Sequence, residues 1–323
     1  MRMTHSFKLS RRMARHRVPL LAALMLIGAC NSADSFDQSP AAETPTGTDT
    51  PTGQEQAGLV PTPVSLSGSS TAGIPFGTVD QPIEVFSTYN GALRILSPSY
   101  LMSNLAAIKA RGGRVMLDLA GAQRYWKDAS GHFSMTKWKE RVNRYKGINF
   151  SSYVSDGTIV GHYLIDEPND PTNWNGQTVS GGTVEAMAQY SKQLWPGMPT
   201  VVRAEPGYMA QWSGTYRYLD AAWAQYVSWK GSPSTYLSKN VTAAQRKGLA
   251  LVVGLNITHG NNGSRMTASQ IKSWGSTMLG SSYSCAFINW RYSSEVLSGS
   301  IRDAMTSVAS QARNRSSKSC RGS

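Results

Sequence analysis

The chain has 323 residues, a formal net charge of +13 at pH 7 and 40% hydrophobic residues, with only three cysteines. This length and composition predict one large domain with a full hydrophobic core, and they exclude a disulfide-rich miniprotein. Three cysteines and five histidines show no spacing typical of a metal site, so neither a metal nor another cofactor is expected. No nucleic-acid-binding motif accompanies the positive charge, and nucleic acid is not an expected partner.

Residues 1–29 are predicted to be a signal peptide. Six cations between Arg2 and Arg17 precede an apolar run, residues 18–27, that is too short for a permanent membrane span. The run ends in Ile27-Gly28-Ala29-Cys30, which resembles a bacterial lipobox, so the resemblance implies acylation of Cys30 and a membrane anchor through that lipid. Asn31 after the cysteine favours the outer membrane, with the chain facing the periplasm or the cell surface. An ordinary secretory signal with an incidental cysteine also places the chain outside the cytoplasm.

Residues 30–74 are predicted to be a disordered tether. They are rich in Thr, Pro, Ser and Gly, and they contain no Lys or Arg. Such a composition buries too little apolar surface to offset the entropy of ordering. Without the six cations of the signal peptide and the five acids of the tether, the remaining domain has a charge near +12. A domain this basic favours anionic surroundings, such as an acidic polysaccharide, lipopolysaccharide or anionic lipid.

Residues 75–314 alternate between apolar strands and amphipathic helices, and residues 315–323 form a short tail. Strands are predicted at residues 83–87, 114–120, 158–167, 200–205, 221–227, 249–257 and 286–290. Helices are predicted at residues 97–111, 135–145, 184–194, 234–247, 266–279 and 301–313. Alternation indicates a parallel sheet, and about 240 residues is the size of a (β/α)8 TIM-type barrel. The eighth strand is expected near residues 76–79, and a monomer is expected. A doubly wound open sheet is the alternative, although no glycine-rich phosphate turn is present.

The strand at residues 158–167 runs directly into Asp166, Glu167 and Pro168. Proline cannot donate to a sheet ladder and disfavours helix in the residue before it, so the strand should end at Glu167. The carboxyl ends of barrel strands form the rim where the chemistry of this fold takes place. Adjacent acids repel each other, which favours a functional explanation. Capping of the next helix, or pairing with an arginine, is the structural alternative.

Acids, amides and aromatic residues follow most of the other predicted strands. Aromatic rings, with carboxylates and amides for hydroxyl groups, are what a saccharide site requires. The candidate substrate-binding residues are Asp166, Arg203, Trp126, Tyr208, Tyr226, Asn256, His259, Trp290 and Tyr292. Tyr89 and Asn90, after the strand at residues 83–87, are also expected at this rim. His162, alone within its strand, is expected to be a core residue.

Two short segments resemble the (β/α)8-barrel glycoside hydrolases. Ile165-Asp166-Glu167-Pro168 resembles their strand-end segment Asn-Glu-Pro, which carries the acid/base glutamate. Phe287-Ile288-Asn289-Trp290 is similar to their late strand, whose tryptophan forms the floor of the sugar site. The resemblance implies a glycoside hydrolase that cleaves a polysaccharide or oligosaccharide, with Glu167 as general acid. Asparagine at the late strand ends, where the family has a nucleophilic glutamate, leaves open a non-catalytic carbohydrate- or envelope-binding lipoprotein.

The second carboxylate is expected to be Glu205 or Asp118, which follow the neighbouring strands. Glu205 is favoured, because Arg203 on the same face of its strand is expected to keep it ionised. A structural Arg203–Glu205 ion pair below the rim is the competing interpretation. Carboxyl groups about 5–5.5 Å apart imply retention of configuration, and about 6.5–9.5 Å implies inversion. A third arrangement resembles substrate-assisted hexosaminidases, with Asp166 orienting a substrate acetamide.

Cys285 and Cys320 are predicted to form a disulfide. Cys285 begins its strand, and the last helix returns the chain to the amino-terminal face of the barrel. An even pair of cysteines in an oxidising compartment favours a covalent bond between the tail and this strand.

Overall fold

The computed structural model describes residues 73–322, so the predicted signal peptide, the lipidation site Cys30 and nearly all of the tether lie outside the described residues. Eight parallel strands form one closed barrel in chain order, with the first paired to the last. The strands are β1 Phe76–Val79, β2 Gly91–Ile95, β3 Arg114–Asp118, β4 Ile159–Asp166, β5 Thr200–Arg203, β6 Ala221–Tyr226, β7 Ala250–Leu255 and β8 Ser284–Asn289. The predicted (β/α)8 barrel is therefore confirmed.

Helices connect the strands and pack against the outside of the barrel. They are α1 Leu101–Ala110, α2 Met135–Asn143, α3 Ser151–Ser155, α4 Gly181–Leu194, α5 Pro206–Met209, α6 Pro233–Arg246, α7 Ala268–Met278 and α8 Gly299–Arg313. A Ser or Thr side chain accepts a hydrogen bond from the first turn of α2, α4, α6 and α7. These caps satisfy amide groups that have no partner within the helix, which is why the helices begin there.

Two apolar clusters hold the barrel together. The inner one fills the barrel with strand residues such as Leu93, Met116, Val201 and Trp223. The outer one joins the outward strand side chains to the helices. This division follows from the strand period of two, because successive side chains point to opposite faces of the sheet.

The prediction of a strand at residues 83–87 is wrong. Ile83–Ser87 is a 3-10 helix, and the strand in this position is β2, Gly91–Ile95. Backbone atoms of β1 approach Gly91 so closely that a Cβ there would lie 2.6 Å from Phe76 N, which only glycine permits. Tyr89 and Asn90 consequently precede a strand and lie at the amino-terminal end, where Asn90 Oδ1 accepts from Phe76 N at 3.1 Å. Neither residue belongs to the rim.

An irregularity near the end of β4 decides which side chains face the barrel mouth. Tyr163 pairs with Val201 and Asp166 with Arg203, so three steps on β4 match two on β5. Leu164 and Ile165 consequently both pack in the outer cluster. The extra residue of a bulge shifts the alternation by one. Asp166 is thereby aligned with Arg203 at the top of the barrel.

The predicted disulfide between Cys285 and Cys320 is present, with an S–S distance of 2.06 Å. It joins the tail to β8. Within residues 73–322, no helix is long and apolar enough to cross a membrane.

Candidate active site

A buried ion pair lies at the mouth of the barrel. The Arg203 guanidinium donates to both carboxylate oxygens of Asp166, through Nε to Oδ1 and through Nη2 to Oδ2 at 2.9 Å. Its Nη1 donates to Gln225 Oε1, and the ring of Trp290 lies 4.8 Å from the guanidinium carbon. The expectation that Arg203 pairs with Glu205 is wrong, because the β4 bulge brings Asp166 opposite Arg203. Asp166 is therefore held by Arg203 at the barrel mouth.

Glu167 stands directly beside this ion pair in an unusual backbone conformation. Its φ is +40°, a left-handed value that costs a residue with a side chain about 1–3 kcal/mol. The backbone is held there by Glu167 N donating to Arg203 O at 2.9 Å and by Trp174 Nε1 donating to Glu167 O at 3.2 Å. The side chain is 41% exposed, and Oε1 lies 3.5 Å from Arg203 Nη2. Strain of this kind clusters at functional sites.

The surroundings of Glu167 raise its pKa. Arg203 lowers the pKa, but burial and the negative charges of Asp166 and Asp170 together raise it by more. A carboxyl group that keeps its proton to a higher pH than usual is suited to act as a general acid.

Glu205 follows β5 and begins the short helix α5. Its Oε1 lies 2.5 Å from Lys230 Nζ, in the turn after β6, and the same ammonium donates to Gln225 O at 3.0 Å. Lys230 also lowers the pKa of Glu167, so its charge acts on both carboxylates. Sequence reasoning missed Lys230, because its position in a loop beyond a strand end gave no indication that it turns towards β5.

Asp118 and Asp80 are two further acids of the rim. Asp118 is 7% exposed, and its Oδ1 accepts from Gly121 N at 2.7 Å. Burial raises the pKa of Asp118 to about 7, the Gly121 hydrogen bond lowers it, and the charges of Asp166 and Asp80 add to the rise. Asp80 follows β1 at φ +60°, with Oδ2 3.6 Å from Arg291 Nη2. Its position directly after residues 76–79 was the available signal, and it was overlooked.

Two aromatic residues predicted to bind the substrate are buried in the core. Trp126 is 2% exposed, packs against Trp174 at 5.4 Å and donates from Nε1 to Gly121 O. Tyr226 is buried against Tyr236, and its hydroxyl donates to Gly231 O. Tyr226 points outwards because Gln225, one residue earlier, points into the barrel mouth. Neither ring has a solvent-exposed face on which a sugar could stack, and Trp126 instead lines a small cavity beside the rim.

The remaining predicted residues surround the mouth in different ways. Asn256 Oδ1 accepts from Thr258 Oγ1 and His259 N, so Asn256 shapes the turn after β7 and His259 is exposed on it. The Tyr208 hydroxyl donates to Val179 O, and Tyr292 is half-buried beside β1. Exposed aromatic residues of the rim loops include Tyr100 at 64%, Trp229 at 59% and Tyr125 at 40%, after β2, β6 and β3. In the described part of the chain, no three His, Cys, Asp or Glu side chains are placed to hold a metal ion.

No protein-family model matches the sequence, and no curated protein matches it significantly. Solved structures do match. A β-glucanase, SdGluc5_26A from Saccharophagus degradans, has a TM-score of 0.51 and 11% identity over 75% of this chain and 88% of its own. Saccharomyces cerevisiae Gas2p, in complex with laminaritetraose and laminaripentaose, has a TM-score of 0.52 and 11% identity over 79% of this chain and 68% of its own. At such identity these structures show the fold alone, and the predicted resemblance to glycoside hydrolase barrels is confirmed at that level.

Proposed function

We propose that this protein is a glycoside hydrolase that cleaves a polysaccharide, with Glu167 as the general acid. The observation that carries the proposal is Glu167 itself. Its carboxyl group is accessible at the barrel rim, is held by a strained backbone and has a raised pKa, and Lys230, whose charge also acts on it, is paired with a second carboxylate, Glu205. Two carboxyl groups with different surroundings are the usual requirement for acid/base cleavage of a glycosidic bond.

In this mechanism Glu167 transfers its proton to the glycosidic oxygen as the bond to the anomeric carbon breaks. Glu205 is the partner carboxylate, because its Oε1 is paired with the Lys230 ammonium, whose charge also acts on Glu167. Glu205 either removes a proton from the attacking water, giving inversion, or attacks the anomeric carbon itself, giving retention. Asp118 is less suited to either role, because its raised pKa keeps the carboxyl group protonated up to about pH 7.

The fold neighbours support a glycan substrate and suggest where to begin. One is a β-glucanase and another binds laminaritetraose and laminaripentaose, so β-glucans are the first substrates to test. The purified chain, Glu167→Gln and Glu140→Gln are compared on a polysaccharide panel by reducing-end release. Glu140 is an exposed glutamate on α2, so its variant controls for the substitution. Loss of several orders of magnitude in kcat is expected for Glu167→Gln alone, and equal activity in both variants would refute the assignment.

The second carboxylate has its own test. Glu205→Gln should lower kcat by several orders of magnitude and Asp118→Asn by less. The reverse ranking, measured on the same substrate, transfers the role to Asp118.

A second candidate function is glycan binding without turnover, as a carbohydrate- or envelope-binding lipoprotein. It is favoured by the absence of a carboxylate where β7 and β8 end, at Asn256 and Asn289. Asn289 is also a structural residue, with Oδ1 accepting from Leu255 N and Nδ2 donating to Gly77 O. This function predicts glycan binding that persists in Glu167→Gln but is lost in Trp290→Ala, with no product from any substrate.

We also propose that the domain is tethered to the outer membrane of a bacterial envelope through a lipid on Cys30. Two features of the sequence support this location. One is the segment Ile27-Gly28-Ala29-Cys30, and the other is the stretch without Lys or Arg that follows it. Mass spectrometry of the N-terminal peptide from the membrane fraction should show an acylated Cys30. The variant Cys30→Ser cannot be acylated at this position and should appear in the soluble fraction. Retention of that variant on the membrane contradicts the proposal.

A further inference from the structure

A small cavity lies beside the rim, under the loop that follows β3. Its volume is about 60 Å³, and its walls come from residues 121–124, Trp126 and Lys127 together with the ends of β3 and β4. A water molecule needs about 10–15 Å³ measured with a water-sized probe, so the cavity holds about four waters. A pocket for a whole drug-sized ligand has about 300–1,000 Å³. The cavity therefore has room for a substituent of a few atoms and not for a sugar ring.

The walls of the cavity are mainly apolar. Ala122, Trp126, Leu164 and Ile165 line it, and all four are buried. The bulge in β4 is what brings Leu164 and Ile165 to the same side of the strand. Apolar walls favour a substituent with a methyl group over a fully polar one.

Polar side chains also line the cavity, and their positions define the chemistry further: Asp118, Gln123, Arg124, Lys127, Tyr163 and Asp166. Asp118 lines the cavity, and burial raises its pKa to about 7, so in mildly acidic conditions its carboxyl group carries a proton that it can donate. Asp166 also lines the cavity but is paired with Arg203. The mainly apolar walls disfavour an anionic substituent, because a charge that leaves water for an apolar cavity is costly to bury. Arg124 and Lys127 also contribute, with their cationic groups over the rings of Tyr125 and Trp174 at 4.7 and 5.4 Å.

The cavity also has a defined position relative to the proposed catalytic acid. Asp166 is one of its walls, and Glu167 is the next residue. Gln123 Nε2 donates to Asp166 O at 3.3 Å and so joins the loop above the cavity to the end of β4. A group inside the cavity is therefore carried by the sugar ring that lies at Glu167, or by its immediate neighbour.

We propose that this cavity receives an acyl substituent, an N-acetyl or O-acetyl group, so that the substrate is an acylated polysaccharide. The inference rests on the proposed function in so far as a saccharide occupies the rim. The acyl methyl contacts Ala122 and Trp126, and the acyl oxygen accepts a hydrogen bond from the Asp118 carboxyl group. The acyl group is held and takes no covalent part in the reaction.

The test measures binding and not turnover. Calorimetric titration of the full chain carrying Glu167→Gln uses tetrasaccharides of glucose, N-acetylglucosamine, N-acetylgalactosamine and N-butanoylglucosamine. At least one acetylated ligand should bind roughly tenfold more tightly than glucose, the discrimination that a small apolar group provides. The butanoyl group adds two carbons and should lose this advantage. A tetrasaccharide of uronic acid should bind no better than glucose.

Ala122→Val fills the cavity and should reduce the affinity for the acetylated ligand to the level of glucose. Ala106→Val, at an exposed position of α1, is the matched control and should keep the tenfold preference. Equal affinity for acetylated and unmodified ligands, undiminished binding of the butanoyl ligand, or tighter binding of the uronic acid each overturns the proposal. The butanoyl comparison needs no change in the cavity, so it decides the matter even if Ala122→Val does not fold.

Failure of this inference differs from failure of the proposed function. Hydrolysis of an unmodified glucan without any acyl preference removes the acyl subsite and keeps the hydrolase. An acyl preference in binding, with no turnover of acetylated polymers by the unmodified protein, keeps the subsite and removes the hydrolase.

Discussion

Asp118→Asn should change how the stability of the barrel depends on pH. The carboxyl group is buried, and burial raises its pKa from the ordinary 3.8 to about 7. Asparagine has the same size and keeps an oxygen to accept the hydrogen bond from Gly121 N. The substitution therefore removes one titration with little change in packing.

The sign follows from proton binding in the two states. Between about pH 4 and pH 7 the folded state keeps the proton of Asp118 while the unfolded state releases it. The free energy of unfolding therefore falls as the pH rises through this range. A pKa difference of about three units, at 1.36 kcal/mol per unit, corresponds to roughly 4 kcal/mol of stability lost by pH 8. Asp118→Asn avoids this loss.

His162 has the opposite effect on the pH dependence of stability. The contribution of Asp118 must therefore be measured as a difference between the variant and the unmodified protein. Burial lowers its pKa from 6.5 to about 3. The unfolded state binds a proton below about pH 6.5 when the folded state does not, and stability falls as the pH drops towards 3. The two residues partly cancel in the unmodified protein. Both proteins contain His162. Subtracting the pH profile of the unfolding free energy of the unmodified protein from that of Asp118→Asn therefore leaves the contribution of Asp118.

Urea unfolding between pH 4.5 and pH 8 measures the effect. Asp118→Asn and the unmodified chain should have similar stability near pH 4.5, and the variant should be more stable by up to about 4 kcal/mol at pH 8. Asp156→Asn is the matched control, because hydrogen bonds from Lys109 and Thr158 outweigh burial and lower the pKa of Asp156. That control should lose stability at neutral pH. Parallel profiles for Asp118→Asn and the unmodified chain refute the assignment of a raised pKa.

Three further outcomes are expected. Trp126→Ala should destabilise the barrel by about 3–5 kcal/mol in urea unfolding, as a core residue does, and a loss of glycan affinity without a loss of stability contradicts its burial. Replacing Cys285 and Cys320 together by alanine opens a loop of 35 residues and should lower stability by roughly 3–4 kcal/mol, and an unchanged melting temperature contradicts this. Lys230→Met should lower kcat on the true substrate more than Lys230→Arg, because only arginine keeps a cation beside Glu205. Equal rates in these two variants show that the charge is not needed.

The candidate site shows which features residue patterns can predict and which they cannot. Glu167 was predicted at the end of a strand because Pro168 must end it, and the structure places it there. The partner of Arg203 was predicted incorrectly, since the period of two breaks at the bulge between Tyr163 and Asp166. The sequence around Leu164 and Ile165 shows no sign of that bulge, because both residues are apolar and suit either face.

The amino-acid sequence by itself determined the alternation of strands and helices, the closed barrel implied by its length, the disulfide and the strand that delivers Glu167. The strands and helices depend on local propensity and on apolar periodicity, which are properties of neighbouring residues. The barrel followed from the length of the alternating region, and the disulfide from an even pair of cysteines in an oxidising compartment. The tertiary structure alone decided that Ile83–Ser87 leaves the barrel and that Gly91–Ile95 enters it, since the close approach of β1 requires Gly91. It also decided that Lys230 pairs with Glu205, because ion pairs between loops depend on how two distant segments pack against each other and not on the spacing of residues along the chain.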